Sequence, residues 1–438
     1  MIIRQGYRYR LKTTPEIEHA LRVQAGHCRF VWNEALKLNL GRLEQGVALL
    51  WHADLCGMAK LWKKTEQREF LGEAHSQVLQ QKLKDLANAF SDAFDPTQPL
   101  KRLPKFKRKG QGDSLRYPQR FKLGRGRIYL PKVGWVGYFD SRPIEGKPKN
   151  ATVLYEAGHW YVSVQAEREV ADPDHPSSSV QAIDLGIAAF AATADGELVA
   201  PTNAFKHHQQ KRTRLQRKLA RQVKFSSNWK KTKAKIARLH HKIACIRTDF
   251  LHKLSTRLSN SHALIVVEDL CIANMSASAK GTVEEPGNNV RQKAGLNRAI
   301  LDQGWGECRR QLDYKLAWKG GRLVRVAPAY TSQQCSRCGH TDPDSRQGQA
   351  VFKCTACHRS LNADVNAARN ILVRGLVAVG MTQEQARRFN ESQTAQGRWA
   401  KKPVEGNGVG HPEKQEPWEV APPGGGVAHT TTGSRLNA

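Results

Sequence analysis

The chain has 438 residues, and its 70 Lys and Arg against 39 Asp and Glu give a formal net charge of +31. A positive surplus of this size calls for a polyanionic partner, and nucleic acid is the first candidate. No stretch approaches the roughly 20 apolar residues of a membrane-spanning helix, and the start MIIRQGYRYRLK is too basic and polar for a signal peptide. We therefore expect a cytoplasmic protein of two or three domains with no membrane partner.

The first hundred residues predict one strand followed by helices. Residues 2–12 alternate in polarity, which favours a strand, and the TTP at 13–15 opens a helical stretch through about residue 40. A second helical pattern runs through residues 55–94. Its apolar positions recur at spacings of three and four: Leu79, Leu83, Leu86 and Phe90.

The segment 100–132 is strongly basic, with twelve Lys or Arg against one Asp and with four aromatic residues interleaved. This combination suits phosphate contact and base stacking. The candidate nucleic-acid contacts are Lys105, Lys107, Arg108 and Lys109. Short alternating strands then continue to about residue 169 and predict a small β-barrel. The stretch PDHPSSS at 173–179 predicts a domain boundary.

After this boundary, strands and helices alternate. VQAIDLGIAAFAATADGELVA predicts a strand and a hairpin closed by Asp195 and Gly196. HALIVVEDL predicts a buried strand, residues 297–319 a helix, and RLVRVAPAY another strand. The predicted fold class is mixed, α/β and β, in several domains. Beyond about Met381 the abundance of Gly, Pro, Gln and charge predicts disorder.

A second basic segment covers residues 206–257, with seventeen Lys or Arg against one acid, Asp249. Apolar residues at helical spacing predict an amphipathic helical pair, broken near Ser226. A merely solvated face is the alternative, but the imbalance exceeds what solubility requires. The candidate nucleic-acid contacts here are Arg214, Arg217, Lys218, Arg221, Lys230 and Lys231.

Four of the nine cysteines form two CxxC pairs, Cys335 with Cys338 and Cys354 with Cys357, separated by fifteen residues. This spacing is typical of a four-thiolate structural zinc site, in which no ligand position is left open for water. A redox pair or a chance grouping is the alternative. The scattered cysteines are expected to be buried small hydrophobes: Cys28, Cys56, Cys245, Cys271 and Cys308.

Three acids have conspicuously apolar neighbours. Asp184 lies inside the strand AIDLGI, Glu268 ends the strand LIVVE, and Asp364 starts a helix with an apolar face. Each has a simpler explanation: a turn cap near Gly186 for Asp184, a solvated strand end for Glu268, and the positive helix N-terminus, with Asn362 as N-cap, for Asp364. An RNase H-like sheet, however, brings carboxylates from three such places together. Two divalent ions that hydrolyse a phosphodiester need such a cluster of oxygen ligands, and magnesium is the natural ion.

Together these motifs resemble the TnpB family, also called OrfB, of insertion-sequence proteins related to the type V CRISPR effector nucleases. The resemblance is carried by AIDLGI, DFLHKLS, VVEDL, ILDQGWGE, YTSQQCSRCGH and NADVNAARNIL, in this order, and extends from the N-terminus to about residue 375. It implies a split RuvC nuclease of RNase H-like fold in which Asp184, Glu268 and Asp364 are the catalytic, metal-binding acids. It also implies a zinc ribbon at the four clustered cysteines.

The family's domain order implies the following layout. Residues 1–12 and 95–172 would form a wedge-type β-barrel, interrupted by a helical recognition segment at 13–94. Residues 180–330 would form the nuclease core with the first two acids, and 331–360 the zinc ribbon. Residues 361–380 would form the helix with the third acid, and 381–438 a disordered tail.

The resemblance implies an RNA-guided endonuclease. Its cofactors would be two Mg or Mn ions and one structural Zn, and its partners a guide RNA from the transposon end and double-stranded target DNA. Base pairing would read the DNA sequence beside a short recognition motif, while the protein reads backbone shape. Two alternatives stay open: a transposase that breaks and joins DNA, and a guided DNA-binding regulator without cleavage.

Overall fold

The computed structural model describes residues 1–282 and 284–395, which form two regions, each centred on a β-sheet. The predicted linker at 173–179 lies between them without regular structure. The first region contains β1 (Ile2–Lys12), α1 (Pro15–Glu44), α2 (His52–Trp62), a 3-10 helix (Glu66–Glu73), α3 (Ser76–Phe94), β2 (Ser114–Tyr117), β3 (Lys122–Gly124), β4 (Arg127–Leu130), β5 (Gly134–Tyr138), β6 (Lys147–Glu156) and β7 (His159–Glu169).

The second region begins at β8 and ends, as far as the structure describes it, at α10. It contains β8 (Val180–Leu185), β9 (Ala191–Thr193), β10 (Leu198–Val199), α4 (Ala204–Ala220), α5 (Ser227–Ser261), β11 (Leu264–Glu268), α6 (Ile272–Met275), α7 (Val290–Gln303), α8 (Trp305–Ala317), β12 (Arg322–Val326), a 3-10 turn (Pro343–Ser345), β13 (Val351–Lys353), β14 (Ser360–Asn362), α9 (Ala363–Ala378) and α10 (Gln383–Ala395).

The first sheet has seven antiparallel strands in the order β2-β6-β7-β1-β5-β4-β3. The long strand β1 joins its two halves, because residues 2–10 pair with β7 and residues 11–12 pair with β5. Within residues 1–282 and 284–395, β2 and β3 lie at the two ends of this order. β1, β6 and β7 lie where alternation predicts strands, whereas β2, β3 and β4 lie inside the basic segment 100–132, where the residue pattern predicts none. Closure into a barrel stays a prediction.

Helices α1, α2 and α3 follow β1 and share one apolar core with the first sheet. Helix α1 begins at Pro15 behind Thr14, whose side chain accepts a hydrogen bond from the Ile17 backbone, an arrangement that favours a helix N-terminus. The predicted stripe of α3 is confirmed as buried, with Leu83, Leu86 and Phe90 fully inaccessible to solvent. These helices are thus held by packing on the sheet.

The second sheet has the order β10-β9-β8-β11-β12. The three strands β8, β11 and β12 run parallel, and the hairpin of β9 and β10, predicted from Asp195 and Gly196, pairs with β8. Because neighbouring residues of a strand face opposite ways, one face of the sheet packs on α5, α7 and α8 and the other on α9 and α10. This is a three-layer α/β arrangement.

Helix α9 lies close to the central strand β11. A methyl group built at Gly375 would be 2.3 Å from the Val266 side chain, which is below any real carbon contact. Glycine at this position therefore allows the helix to approach the sheet.

Two predicted boundaries are wrong. The single helix expected at 297–319 begins earlier, at Val290, and is divided by Gly304, whose φ of 74° is left-handed and ends α7 before α8 begins. The disorder expected beyond Met381 is wrong for α10, where Ala386 is buried against α9. Residues 396–438 of that predicted tail lie outside the described residues. No described helix combines the length and apolar character needed to cross a membrane.

Candidate active site and metal centre

The three predicted acids line one cavity of about 380 Å³. Asp184 lies near the end of β8 and Glu268 ends β11, and because these neighbouring strands are parallel, their carboxyl ends meet at one edge of the sheet. Asp364 is the second residue of α9 and reaches the same edge. The rest of the lining includes Trp305, Thr331, Arg346 and Gln349.

The surroundings oppose ionisation of all three carboxyl groups. Burial, reinforced by the negative charges of Glu268 and Asp364, raises the pKa of Asp184 to about 7. Burial also raises the pKa of Glu268 and the pKa of Asp364. Carboxylates that share a desolvated site repel one another, so a cation bound between them would relieve an existing electrostatic strain.

The most compact group of potential metal ligands in the described residues is formed by cysteines. Within the described part of the chain, only the four clustered cysteines form a group of three or more potential ligands whose atoms all lie within 4.8 Å of one another.

The geometry is compatible with the simpler explanation for Asp364 and excludes the one for Glu268. The Asn362 side chain accepts from the backbone N–H groups of Asp364 and Val365 at 2.9 and 3.2 Å. Asn362 therefore caps α9, as predicted, and Asp364 is free to face the cavity. Glu268 is 9% exposed and is not a solvated strand end.

Thr331 and Arg346 contact the acids directly and were not among the predicted site residues. Thr331 Oγ1 donates to Glu268 Oε1 at 2.6 Å, which lowers the pKa of this carboxyl against the effect of burial. The Arg346 guanidinium lies 3.7 Å from Asp364 Oδ1 and acts in the same direction on its pKa. Thr331 belongs to the YTSQQC motif, whereas nothing in the sequence pattern singles out Arg346.

The four clustered cysteines form a compact sulfur site. Sγ of Cys335 lies 3.6 Å from Sγ of Cys357, and Cys338 and Cys354 are separated by the same distance. A disulfide needs about 2.05 Å, whereas four sulfurs at about 2.3 Å from a tetrahedral zinc lie about 3.8 Å apart. The observed spacing therefore fits zinc. The alternative of redox pairs is disfavoured because these contacts join one CxxC with the other.

The remaining cysteines follow the prediction only in part. Cys28 and Cys308 are buried, but Cys245 and Cys271 are exposed and Cys56 is half-buried. Cys245 lies on the basic helix α5, and Cys271 lies in the loop after β11. Neither cysteine belongs to the apolar pattern of its segment.

Two asparagines fasten the sulfur site to the helix that carries Asp364. Asn366 Nδ2 donates to the Gln334 carbonyl at 2.7 Å, and its Oδ1 accepts from the Ser336 N–H at 2.9 Å. Asn370 Nδ2 donates to the carbonyls of Thr331 and Gln334 at 2.8 and 2.6 Å. Both asparagines are buried. The segment 331–336 thus bonds at one end to Glu268 and carries a thiol of the sulfur site near the other.

Of the predicted nucleic-acid contacts, nine are exposed and one is not. Lys107 is half-buried, with its ammonium 4.1 Å from the centre of the Trp32 ring, and burial lowers its pKa. Its backbone also exchanges two hydrogen bonds with the Asn33 side chain. The exposed nine are Lys105, Arg108, Lys109, Arg214, Arg217, Lys218, Arg221, Lys230 and Lys231.

Family comparisons match three parts of the chain. Residues 161–279 match the OrfB_IS605 model, described as "Probable transposase", and residues 305–371 match "Cas12f1-like, TNB domain". Residues 1–47 match a model described as "Helix-turn-helix domain". In this structure the last segment forms a strand and one long helix.

Two relatives cover most of the chain. "Putative RNA-guided DNA endonuclease InsQ" of Escherichia coli K12 is 46% identical over 394 residues, which are 89% of this chain and 97% of that protein. A "Putative RNA-guided DNA endonuclease" of Streptomyces pristinaespiralis is 33% identical over 399 residues, 86% of this chain and 90% of its own.

Among solved structures, "Cryo-EM structure of the Cas12f1-sgRNA-target DNA complex" is 18% identical and covers 84% of this chain and 98% of its own at a TM-score of 0.30. "Structure of the mini-RNA-guided endonuclease CRISPR-Cas_phi3" is 10% identical at a TM-score of 0.39, with coverage of 84% and 92%. Membership of a family is therefore judged from the sequence relatives.

Proposed function

Since the chain belongs to the OrfB family of insertion-sequence proteins, also called TnpB, we propose that it is a metal-dependent, RNA-guided DNA endonuclease. The observation that carries the proposal is the convergence of Asp184, Glu268 and Asp364 on one cavity. Two family relatives that cover most of the chain bear the name of this activity.

The three acids would hold two Mg or Mn ions. Their donor set consists of carboxylate oxygens, which hard divalent ions prefer, and the raised pKa of Asp184 reflects a site short of positive charge. Bound there, the ions would supply activation of a water and stabilisation of the leaving oxygen of the phosphodiester. The proposed fold of this part is the split RuvC nuclease, with the sulfur site as its zinc ribbon.

Thr331 and Arg346 would assist these acids. The hydroxyl of Thr331 holds one oxygen of Glu268 and fixes the direction of the carboxylate, as partners of metal ligands commonly do. Arg346 lies between the two CxxC pairs in the sequence and reaches the cavity, where its guanidinium would meet a phosphate of the substrate. The ribbon would thereby contribute to the active site as well as to stability.

The basic residues would hold the nucleic acids. A guide RNA from the transposon end would occupy part of this positive surface, and double-stranded target DNA would be recognised beside a short motif. Base pairing would then read the sequence while Lys and Arg contact the backbones. The nine exposed residues on the segments 105–109 and 214–231 are the first candidates.

The test is to purify the full chain, sequence the RNA that accompanies it, and incubate the complex with DNA that matches this RNA. We expect cleavage with Mg²⁺, no cleavage with EDTA, and no cleavage of DNA with a scrambled match. Absence of any specific RNA in the preparation would refute the guided function.

A second candidate is a transposase that breaks and joins DNA, favoured by the description of the matching family model, "Probable transposase". The same incubation separates the two, because a transposase yields joined products and needs no RNA. The order Asp, Glu, Asp, with the second acid on a strand and the third on a helix, favours hydrolysis. A guided binder without cleavage would give retained DNA with both strands intact.

A further inference from the structure

The loop between α4 and α5 presents apolar side chains to solvent at the end of a basic helical pair. We call residues 221–229 the hairpin tip. Val223 is 79% exposed and Phe225 is 67% exposed. The apolar cluster between the two helices is formed elsewhere, around Ala204, Leu239 and Ile243. The Phe225 ring therefore does not contribute to the packing of the two helices against each other.

The backbone and the neighbouring side chains orient the Phe225 ring. Phe225 has a φ of 69°, a left-handed conformation that bulky L-residues rarely adopt and that glycine or asparagine would adopt more easily. Its ring lies 5.4 Å from the Trp229 ring, and the Lys233 ammonium lies 5.0 Å from the centre of the same indole. Ser226 caps α5 by accepting from the Trp229 N–H at 3.2 Å. The turn thus holds an aromatic side chain outward in a strained backbone conformation. Such strain is found at functional sites, which suggests that the Phe225 ring binds a ligand.

The electrostatic surroundings of this ring are positive. The sequence contains no acidic residue from Lys206 to Thr248. In the part of the chain that the structure describes, none of the basic side chains nearest the tip forms an ion pair. These exposed side chains are Arg217, Lys218, Arg221, Lys224, Lys230 and Lys231. The tip therefore combines an exposed aromatic face with unneutralised cations.

We propose that the hairpin tip is a base-stacking site, in which Phe225 covers the exposed face of one nucleobase and the cations around it contact the flanking phosphates. The proposal rests on the proposed function in that it requires a nucleic-acid ligand. Aromatic rings stack on bases of any sequence. The base comes from an unpaired stretch of bound RNA or from a displaced DNA strand.

The size of the apolar patch favours a base over a protein partner. A stable protein interface buries about 800 Å² on each partner, whereas an aromatic side chain supplies only about 150–250 Å². Phe225 and Val223 together fall short of an interface but match one base.

The experiment uses the full chain, freed of bound nucleic acid at high salt, and two single strands of equal sequence, one RNA and one DNA, each with a central 2-aminopurine. Phe225→Ala is the test variant, Phe225→Tyr retains a ring, and Lys230→Gln removes one charge. Heparin serves as a polyanion without bases.

We expect the wild type to quench 2-aminopurine and Phe225→Ala to lose this quenching and bind about tenfold more weakly. The slope of affinity against salt should not change, because no charge is lost, and Phe225→Tyr should bind like the wild type. Lys230→Gln should reduce the slope by about 0.7 for a single strand. A larger effect on the RNA or on the DNA identifies the source of the base.

Unchanged affinity of Phe225→Ala for both strands would refute the stacking site, as would an equal loss for heparin, which shows that bases are not read. The melting temperature should be unchanged, because the ring belongs to no core cluster. These probes do not depend on a guide. Failure of guided cleavage therefore contradicts the proposed function alone, and normal stacking behaviour would survive it.

Discussion

The two sheet-centred regions carry their candidate functional residues in opposite ways. In the region that begins at β8, three acids converge on one cavity and four thiols on one sulfur site, joined by hydrogen bonds of 2.6–2.9 Å through Thr331, Asn366 and Asn370. In the N-terminal region, the candidates are exposed basic residues of one segment, Lys105, Arg108 and Lys109, and six more exposed candidates lie at 214–231 in the other region, away from the acids and thiols in the sequence. Convergent sites should fail when one residue is lost, whereas a spread-out charge surface should weaken by small steps.

The largest effect is expected at the acids. Asp364→Asn should lower DNA cleavage by about 10⁴-fold or more, as the loss of one member of a catalytic unit does, while RNA binding persists. Quantified cleavage rates and RNA retention measure this. Asp269→Asn is the matched control, because Asp269 follows Glu268 directly but is half exposed and pairs with Arg309. Appreciable cleavage by Asp364→Asn would remove this residue from the proposed site.

The next effect is expected at the sulfur site. Cys335→Ser should reduce the bound zinc from one per chain to near zero and destabilise the C-terminal half, because structural zinc binding contributes directly to folding. Elemental analysis and thermal melting measure the two consequences. Cys271→Ser, at an exposed cysteine outside the cluster, should change neither. An unchanged zinc content in Cys335→Ser would refute the ribbon.

An intermediate effect is expected at the hydrogen bond from Thr331 to Glu268. Thr331→Val removes the donor to Glu268 and should lower cleavage by about 10- to 100-fold, the usual cost of losing a partner of a metal ligand. Thr331→Ser keeps the hydroxyl and should retain most of the rate. If the valine and serine variants cleave equally well, the hydroxyl has no part in positioning Glu268.

The smallest effect is expected in the N-terminal region. Arg108→Gln should weaken RNA binding only a few-fold and reduce the slope of log affinity against log salt by about 0.7–0.9 for one lost phosphate contact. Lys107→Gln is the comparison, since Lys107 packs on Trp32 and should affect stability more than the salt slope. A loss of all RNA binding in Arg108→Gln would contradict the graded behaviour.

The contrast between the regions also explains what the sequence predicts. Asp184, Glu268 and the CxxC pairs stand out because a charge in an apolar strand and a doubled thiol spacing have few explanations. Asn362 and α9 were predicted correctly from capping and periodicity. The break at Gly304 was not, because a glycine inside a helical pattern does not reveal its φ before the chain is folded.

Contacts between distant segments were beyond prediction. Arg346 reaches Asp364 only because the segment with the clustered cysteines folds back on α9, through bonds from Asn366 and Asn370 to a loop more than 30 residues earlier in the chain. Lys107 was expected to contact nucleic acid, but it is half-buried and its ammonium lies over the ring of Trp32, which comes from α1. Periodicity and spacing describe local structure and cannot supply such pairings.

The most direct test of the central claim is a guide exchange. The part of the co-purified RNA that matches DNA is replaced by a new sequence, and the cleavage of the old and the new DNA is measured with Mg²⁺. The account predicts that cleavage moves to the DNA matching the new RNA and disappears in Asp364→Asn. Cleavage that stays at the old DNA, or that proceeds equally without RNA, would contradict it.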